Sequence, residues 1–266
     1  MKTNSVKQAL REGKPQVGTW LSLGSPFAAR YMARTGLPWL TVDMEHSQPS
    51  IETASLMFGA IADAGCIPLV RIPANRHDVI KVALDCGAMG IVAPMVMSAD
   101  EARAIVAATR YPPIGNRSVG GSLHALNYAA TSDAYFRRAN DEILVVIQAE
   151  HIDAIDIADE IYSVPGVDAV FIGPNDLAAS MRAADGMPPT PEALEAAFTR
   201  VREAAQRQGI APGMHVFSAA DALKRIAEGW RFLAVNSELR FMLQGASDLV
   251  KQLAQPGDSA PELARY

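Results

Sequence analysis

The sequence alternates between short runs of β-branched and apolar residues and longer stretches in which apolar residues recur at helical spacing. Eight of the short runs can be counted, with a helical stretch between most neighbours. This alternation is typical of repeated βα units built around a parallel sheet. The predicted strands cover residues 17–23, 39–45, 67–73, 90–96, 143–150, 169–174, 211–217 and 231–238.

The segments between the strands carry helix start and stop signals. The segments at residues 26–36 and 51–65 each end at a Gly, which is a common stop signal for a helix. Ser98 precedes Glu101 by the spacing of an N-terminal capping box, and so does Ser218 before Asp221. Both boxes directly follow a predicted strand, as expected where a strand leads into a helix.

Eight strands in a chain of 266 residues predict an α/β fold with a single (β/α)₈ TIM barrel. An open doubly wound sheet needs fewer strands and usually has a Gly-rich first turn, and neither GxGxxG nor GxxxxGK[ST] occurs. We predict one barrel domain over residues 1–255 and a loose tail over residues 256–266. The longest connection between predicted strands covers residues 111–140. Connections of this length usually have a function or form part of an interface.

Composition and charge limit the class of protein. Hydrophobic residues make up 49% and charged residues 20% of the chain, which is ordinary for a globular protein. No apolar run approaches the roughly 18 residues of a membrane-spanning helix, and the first residues have no apolar core that would serve as a signal peptide. We therefore expect a cytoplasmic protein. The net charge of −5 argues against a nucleic acid or a membrane surface as partner and favours a small molecule.

Polar residues concentrate where the predicted strands end, and in a βα barrel the carboxyl ends of the strands form the catalytic face. One such residue is as easily a solvated loop charge as a functional group. Their shared position at one end of the barrel makes a common site the better interpretation. These residues are Asp43, Glu45, His46, Arg71, Gln148, Glu150, Gly173, Pro174, Asn175 and Asp176.

Glu150 and Asp176 end neighbouring predicted strands, so the two carboxylates would face the same space. Like charges this close need a cation, a shared proton or an arginine. A divalent ion with oxygen ligands is the first interpretation, and Mg²⁺ or Mn²⁺ would keep positions open for water or substrate. An ion pair with Arg71 is the alternative.

His46 needs a reason for its position, because a lone histidine is more often structural than catalytic. Asp85 lies in the helical stretch after the third strand and is a candidate to orient His46 as a general base. Asp85 could instead be a turn residue before Gly87. Glu45 could be only a neighbour of His46, and Trp20 either lines the pocket or belongs to the core.

The lysines argue against one class of aldolase. They lie at positions 2, 7, 14, 81, 224 and 251, and none falls in a predicted strand or at its carboxyl end. Imine chemistry needs a desolvated amine that faces the substrate, so a Schiff-base aldolase is disfavoured. Gly-rich turns are missing after the seventh and eighth strands, which disfavours a phosphorylated substrate.

Several segments occur in the order typical of one enzyme family: VGTWLSLGSP, WLTVDMEHS, LVRIP, VAPMV, RYPPIGNRSVGG, QAE and PGVDAVFIGPNDLAASM. From about residue 5 to about residue 250 the chain resembles the HpcH/HpaI family of metal-dependent 2-oxo acid aldolases. The resemblance implies a (β/α)₈ barrel that assembles as a homohexamer with an exchanged C-terminal helix. It also implies reversible cleavage of 4-hydroxy-2-oxo acids to pyruvate and an aldehyde.

The resemblance assigns a role to each metal and pyruvate residue. Glu150 and Asp176 match the family's metal ligands, for Mg²⁺ or Mn²⁺ with Co²⁺ as a third candidate. Gln148 and Arg71 match the residues around the pyruvate moiety. The backbone of residues 173–176, which is Gly173, Pro174, Asn175 and Asp176, matches the part that holds the pyruvate carboxylate.

By the same resemblance, His46 and Asp85 match the acid-base pair, and Asp43 matches a supporting acidic residue beside it. A metal-stabilised pyruvate enolate would form during cleavage, Arg71 would add positive charge at the enolate oxygen, and His46 would remove the proton of the 4-hydroxyl group. This implied mechanism predicts that a chelator abolishes pyruvate release.

Some residues depart from the family's usual pattern. Asn175 stands where Ala is common, and His151 and His215 add imidazoles near strand ends. Asn175 and His215 leave the aldehyde half of the substrate open; a dicarboxylate preference would indicate aromatic or sugar-acid catabolism. Two alternatives stay open: oxaloacetate decarboxylation on the same site, and a barrel that binds small molecules without turnover.

Overall fold

In the computed structural model of the protein, which describes residues 1–121 and 123–253, eight parallel strands close into one barrel. Each strand pairs with the next along the chain, and the last pairs with the first. The predicted (β/α)₈ barrel is therefore confirmed. The strands are β1 (Gln16–Leu21), β2 (Trp39–Asp43), β3 (Ile67–Arg71), β4 (Gly90–Ala93), β5 (Leu144–Ala149), β6 (Ala169–Ile172), β7 (Ala211–Val216) and β8 (Phe232–Ser237).

Helices surround the barrel, and a 3₁₀ helix spans Leu123–Tyr128. Ser98 and Ser218 cap α5 and α11 as predicted, because each hydroxyl accepts a hydrogen bond from the backbone N–H three residues later. The α-helices of the described ranges are α1 (Ser5–Arg11), α2 (Pro26–Met32), α3 (Ile51–Asp63), α4 (His77–Asp85), α5 (Ala99–Thr109), α6 (Ser132–Glu142), α7 (Ile152–Asp156), α8 (Ala158–Tyr162), α9 (Pro174–Ser180), α10 (Pro191–Arg207), α11 (Ala219–Ala227) and α12 (Glu238–Leu253).

All eight predicted strands are present, but each ends one to three residues before its predicted run does. Some residues beyond the strands are apolar and buried although they lie outside the paired register, such as Ile72 beyond β3 at 0% exposure and Val96 beyond β4 at 2%. Met95 turns the chain away from β4 with a positive φ of 48°. An apolar run in the sequence indicates that its residues are buried. It does not indicate at which residue the strand stops pairing with its neighbours.

Aromatic rings fill the barrel interior. Trp39 stacks on Phe232 with ring centroids 4.5 Å apart, and Phe171 meets Phe232 edge to face at 6.0 Å. Trp20 packs edge-on against Phe171 at 5.5 Å, nearer the carboxyl ends of the strands. The residues that face inward therefore form a packed core with its upper layer directly under the predicted catalytic face.

The amino end of the barrel is closed by α1. Its Lys7 is buried, and the ammonium donates to the carbonyl of Ile143 at 2.6 Å and pairs with Asp168 at 2.9 Å. Ile143 and Asp168 directly precede β5 and β6, so this lysine lies at the end of the barrel opposite the predicted site. A buried amine therefore exists, but not where an imine-forming aldolase would need it.

The 111–140 connection contains the 3₁₀ helix and most of α6, so its second half is regular structure. Helix α12 is the last described element. Residues 254–266 lie outside the described residues, and with them lie the predicted domain boundary at 255 and the predicted tail at 256–266. Within the described ranges, no helix combines the length and apolarity that crossing a bilayer requires.

Candidate active site

Asp43 and Arg71 form the fixed centre of the carboxyl-end face. They end β2 and β3 and are directly paired in the strand register. Arg71 donates two parallel hydrogen bonds to Asp43, from Nε to Oδ1 at 2.8 Å and from Nη2 to Oδ2 at 2.7 Å. Burial disfavours the Asp43 carboxylate, but the bonds and charge of Arg71 outweigh it and hold the pKa of Asp43 below its ordinary value.

Two further groups fix the Arg71 guanidinium. It lies over the Trp20 ring at 4.8 Å from the ring centroid, and its Nε is 3.4 Å from Glu45 Oε2. Burial raises the pKa of Glu45, and Arg71 acts against that rise. Glu45 is thus part of the site rather than a neighbour of His46 alone, and its even spacing from Asp43 along the strand direction was the signal for it.

His46 lies at the edge of this group, with 60% of its side chain exposed and its Nε2 3.8 Å from Glu45 Oε2. Asp85, the last residue of α4, pairs instead with the buried Arg117 at 2.6 Å. Among the described residues of this single chain, no polar contact joins His46 to Asp85. The acid-base pairing of these two residues stays a prediction.

Glu150 is buried directly after β5. Its carboxylate accepts hydrogen bonds from the Met95 backbone N–H at 2.8 Å and from Gln148 Nε2 at 2.6 Å. Burial, together with the negative charges of Asp176 and Glu45, raises the pKa of Glu150 to about 7. Glu150 thus lies among other carboxylates in a site with excess negative charge.

The donor set beside Glu150 fits a divalent metal ion. Gln148 Oε1, beside Glu150, is buried without a hydrogen-bond partner in the described part of the chain, so this space lacks a group that only a bound ion or molecule would supply. A Cβ at Gly173 would lie 2.1 Å from Glu150 Oε1, which shows how closely the backbone surrounds this carboxylate. No group of three His, Cys, Asp or Glu converges within the described ranges, so an ion at Glu150 and Asp176 would take its remaining ligands from water or substrate.

The turn from β6 into α9 brings the other predicted residues to the same face. Gly173 is the N-cap residue of α9, Pro174 is the first residue of this helix, and Asn175 and Asp176 are exposed at the mouth. Sequence reasoning missed Met95, because a backbone donor set by a positive φ leaves no side-chain signal.

A family model described as HpcH/HpaI aldolase/citrate lyase matches residues 16–244. The chain belongs to this family. The match begins at the first residue of β1 and ends within α12, so the HpcH/HpaI family accounts for the complete barrel.

Curated members of the family resemble the chain over nearly its full length. The 4-hydroxy-2-oxo-heptane-1,7-dioate aldolase of Shigella sonnei (strain Ss046) is 39% identical over 249 residues, which are 92% of this chain and 93% of that protein. The protein of the same name from Escherichia coli has the same identity and coverage. The family resemblance read from the sequence is therefore confirmed.

Solved structures of the family share the fold. An HpcH/HpaI aldolase/citrate lyase family protein from Burkholderia cenocepacia J2315 has a TM-score of 0.87 at 34% identity, over 94% of this chain and 99% of that one. An HpcH/HpaI aldolase from Desulfitobacterium hafniense DCB-2 has a TM-score of 0.85 at 32% identity, over 94% and 97% of the two chains.

Proposed function

We propose that the protein is a metal-dependent aldolase, a carbon–carbon lyase that reversibly cleaves 4-hydroxy-2-oxo acids to pyruvate and an aldehyde. One observation carries this proposal: the buried, oxygen-rich Glu150 site lies at the same end of the barrel as an arginine fixed by Asp43. The curated relatives, which are named aldolases, support the same reaction class.

Glu150 and Asp176 would hold the ion. Oxygen ligands and open positions suit Mg²⁺ or Mn²⁺, with Co²⁺ as a third candidate. When bound, the ion supplies a Lewis acid for the 2-oxo group of the substrate. Gln148, whose Oε1 has no partner in the described structure, would contact the pyruvate half, and the Gly173–Asp176 backbone would receive its carboxylate.

Arg71 would stabilise the negative charge that develops on the pyruvate oxygen as the carbon–carbon bond breaks. Asp43 directs the guanidinium through two hydrogen bonds, and Trp20 packs against it, so little reorganisation is needed during the reaction. A fixed donor contributes more to catalysis than a mobile one because its orientation is established before the charge appears.

His46 would take the proton of the 4-hydroxyl group during cleavage and return it during condensation. Its exposed position at the edge of the site leaves the imidazole free to reach a substrate. Asp85 is proposed to orient it, and Glu45 is the carboxylate that lies beside it within this chain.

The proposal is tested by pyruvate release from a panel of 4-hydroxy-2-oxo acids, neutral and acidic. Excess chelator should abolish the release, and added Mn²⁺ or Mg²⁺ should restore it. Full activity in excess chelator would contradict the proposed metal dependence. A panel in which no compound releases pyruvate would contradict the aldolase itself.

Oxaloacetate decarboxylation is a second candidate, because the groups proposed for the pyruvate half do not include His46. Decarboxylation has no hydroxyl proton to remove. A His46→Ala change should therefore reduce aldol cleavage by about 100-fold or more and largely spare decarboxylation. Equal losses in both reactions would show that His46 does not act on the hydroxyl group.

We also propose that the protein is a homo-oligomer, a hexamer that exchanges helix α12 between subunits. Only Glu238 among the residues of α12 is buried, and the exposed apolar residues of the helix include Met242, Leu249 and Val250. Leu249→Asp with Val250→Asp should convert a large species to a smaller one in sedimentation velocity. Glu203→Gln, at an exposed position of α10, is the surface control and should leave the sedimentation coefficient unchanged.

A further inference from the structure

His215 lies near the carboxyl end of β7 and faces the inside of the barrel. A Cβ built at Gly213, two residues earlier, would lie 3.1 Å from Cδ2 of Phe171. The Phe171 ring belongs to the aromatic layer inside the barrel, since it packs on Trp20 and Phe232. Side chains alternate along a strand, so His215 occupies the next inward position towards the mouth.

The His215 imidazole is available for hydrogen bonding. In the described part of the chain, neither of its ring nitrogens has a hydrogen-bond partner, whereas His77 and His151 each use a ring nitrogen within the fold. Its ring meets Phe217 edge to face at 4.9 Å, and Phe217 is 54% exposed at the rim. Within the described ranges, the β7 side of the mouth therefore presents an imidazole without a hydrogen-bond partner beside an apolar ring.

The charge state of His215 limits the kinds of ligand group that it can bind. Burial and the nearby positive charge of Arg71 lower the pKa of His215 to about 4. At neutral pH the ring is uncharged and offers one N–H donor and one nitrogen acceptor. Such a group pairs well with a hydroxyl group, but it brings no charge to neutralise a carboxylate.

The proposed function divides the mouth into two parts. The groups proposed for the pyruvate half come from β3, β5 and β6, and His46, proposed for the 4-hydroxyl group, follows β2. None of these groups comes from β7, so the β7 side of the mouth, where His215 lies, is open to the rest of the aldehyde half. We propose that His215 hydrogen-bonds a hydroxyl group on the aldehyde half and makes the site selective for hydroxylated aldehydes. This inference rests on the proposed aldolase function and names its substrate class. It differs from the substrate in the name of the curated relatives, which is a dicarboxylate.

The test is condensation of pyruvate with glycolaldehyde and with propanal, which have the same number of heavy atoms and differ by a hydroxyl in place of a methyl group. Wild type should show a higher kcat/KM for glycolaldehyde. His215→Leu should lower the ratio of the two kcat/KM values by about tenfold, the effect of one lost hydrogen bond. His215→Asn keeps a donor and an acceptor and should retain part of the preference.

Three measurements distinguish the outcomes. Succinic semialdehyde, which carries a carboxylate, should be a poorer acceptor than glycolaldehyde for wild type. His151→Asn removes an imidazole at the same end of the barrel but keeps a side-chain cap for α7, and it should leave the ratio unchanged. Thermal unfolding of each variant reports on folding.

An unchanged ratio in a folded, active His215→Leu enzyme would overturn the inference while the aldolase proposal stands. An equal loss with both aldehydes would also overturn it, because it would show a structural role for His215. If wild type condenses pyruvate with none of the aldehydes, the proposed function itself fails.

Discussion

At the scale of single residues, the site depends on how each charge is balanced. Arg71 has two oxygens of Asp43, one of Glu45 and the Trp20 ring around it, so its position is fixed by neighbours from β1 and β2. Glu150 has two hydrogen-bond donors but lies beside other carboxylates. The result is a fixed cation beside a carboxylate site that still needs a counter-charge.

Replacement of Arg71 by Lys should lower kcat/KM for pyruvate release by about 100-fold or more, because an ammonium cannot make the paired bonds that orient the guanidinium. Steady-state kinetics with one good 4-hydroxy-2-oxo acid measure the loss. Arg76 makes the same paired contact to Asp78 on the surface, so Arg76→Lys is the matched control. Comparable losses in both variants would argue against a special role for Arg71.

His215 makes the stability depend on pH. Its pKa is lowered from 6.5 to about 4, so between these values the unfolded chain binds more protons than the folded one. The free energy of unfolding contributed by this residue is fully present above pH 6.5 and falls as the pH drops towards 4. Denaturant unfolding at a series of pH values should show a smaller decline for His215→Asn than for wild type. Parallel pH profiles for the two proteins would contradict this.

At the scale of elements, the turn from β6 into α9 sets the position of the Glu150 carboxylate, which directly follows β5. Gly173 has an ordinary φ of −90°, so its conformation does not require glycine. The requirement is space, because the Glu150 carboxylate occupies the volume of a side chain at this position. The turn thus determines where the carboxylate that follows β5 can lie.

Gly173→Ala should therefore displace Glu150 and weaken Mn²⁺ binding by about tenfold or more, the range for disturbed groups around a metal ligand. Titration calorimetry with Mn²⁺ alone measures this without turnover. Gly59→Ala in α3 is the control, since its added Cβ meets nothing within 4 Å. It should keep the affinity and leave stability equal or slightly raised. Unchanged Mn²⁺ affinity in Gly173→Ala would show that Glu150 is not a ligand.

At the scale of the whole molecule, the two ends of the barrel differ in how far their buried charges are paired. The carboxyl end keeps carboxylates in excess. At the amino end, Lys7 and Asp168 are both buried and paired, and Asp168 also accepts from the Val145 N–H at 2.9 Å. Burial lowers the pKa of Lys7 to about 8, and Asp168 opposes that shift. The paired charges attach α1 to the starts of β5 and β6. The proposed catalytic groups all lie at the other end of the barrel.

Asp168→Asn should lower the free energy of unfolding by about 3 kcal/mol, because it leaves a buried ammonium without its counter-ion. Asp133→Asn breaks an exposed pair with Arg137 on α6 and should change it by less than about 1 kcal/mol. Denaturant unfolding at a fixed protein concentration compares the two. Equal effects would mean that the Lys7 pair contributes no more than a surface ion pair.

Much of the site could be read from the sequence because strand ends in a barrel share one face. Asp43, Arg71, Glu150 and the β6–α9 turn lie at this face as predicted, and their roles stay predictions. Glu45 follows Asp43 by two residues, a spacing that places both on one face of an extended chain, but this spacing does not show that Glu45 approaches Arg71. The sequence predicts that Asp85 orients His46, whereas helix α4 brings Asp85 to Arg117 within the chain. The pairing of Asp85 with His46 stays a prediction. The cytoplasmic location stays a prediction as well.

The sequence by itself determined the barrel, its eight strands and the family, because the apolar periodicity and the order of the strand-end motifs are local properties of the chain. The tertiary structure decided where each strand stops pairing, that Lys7 is buried at the amino end, and that His215 faces the mouth with ring nitrogens that have no hydrogen-bond partner among the described residues. These features depend on contacts between residues far apart in sequence. Packing and desolvation set them, and neither can be read from spacing alone.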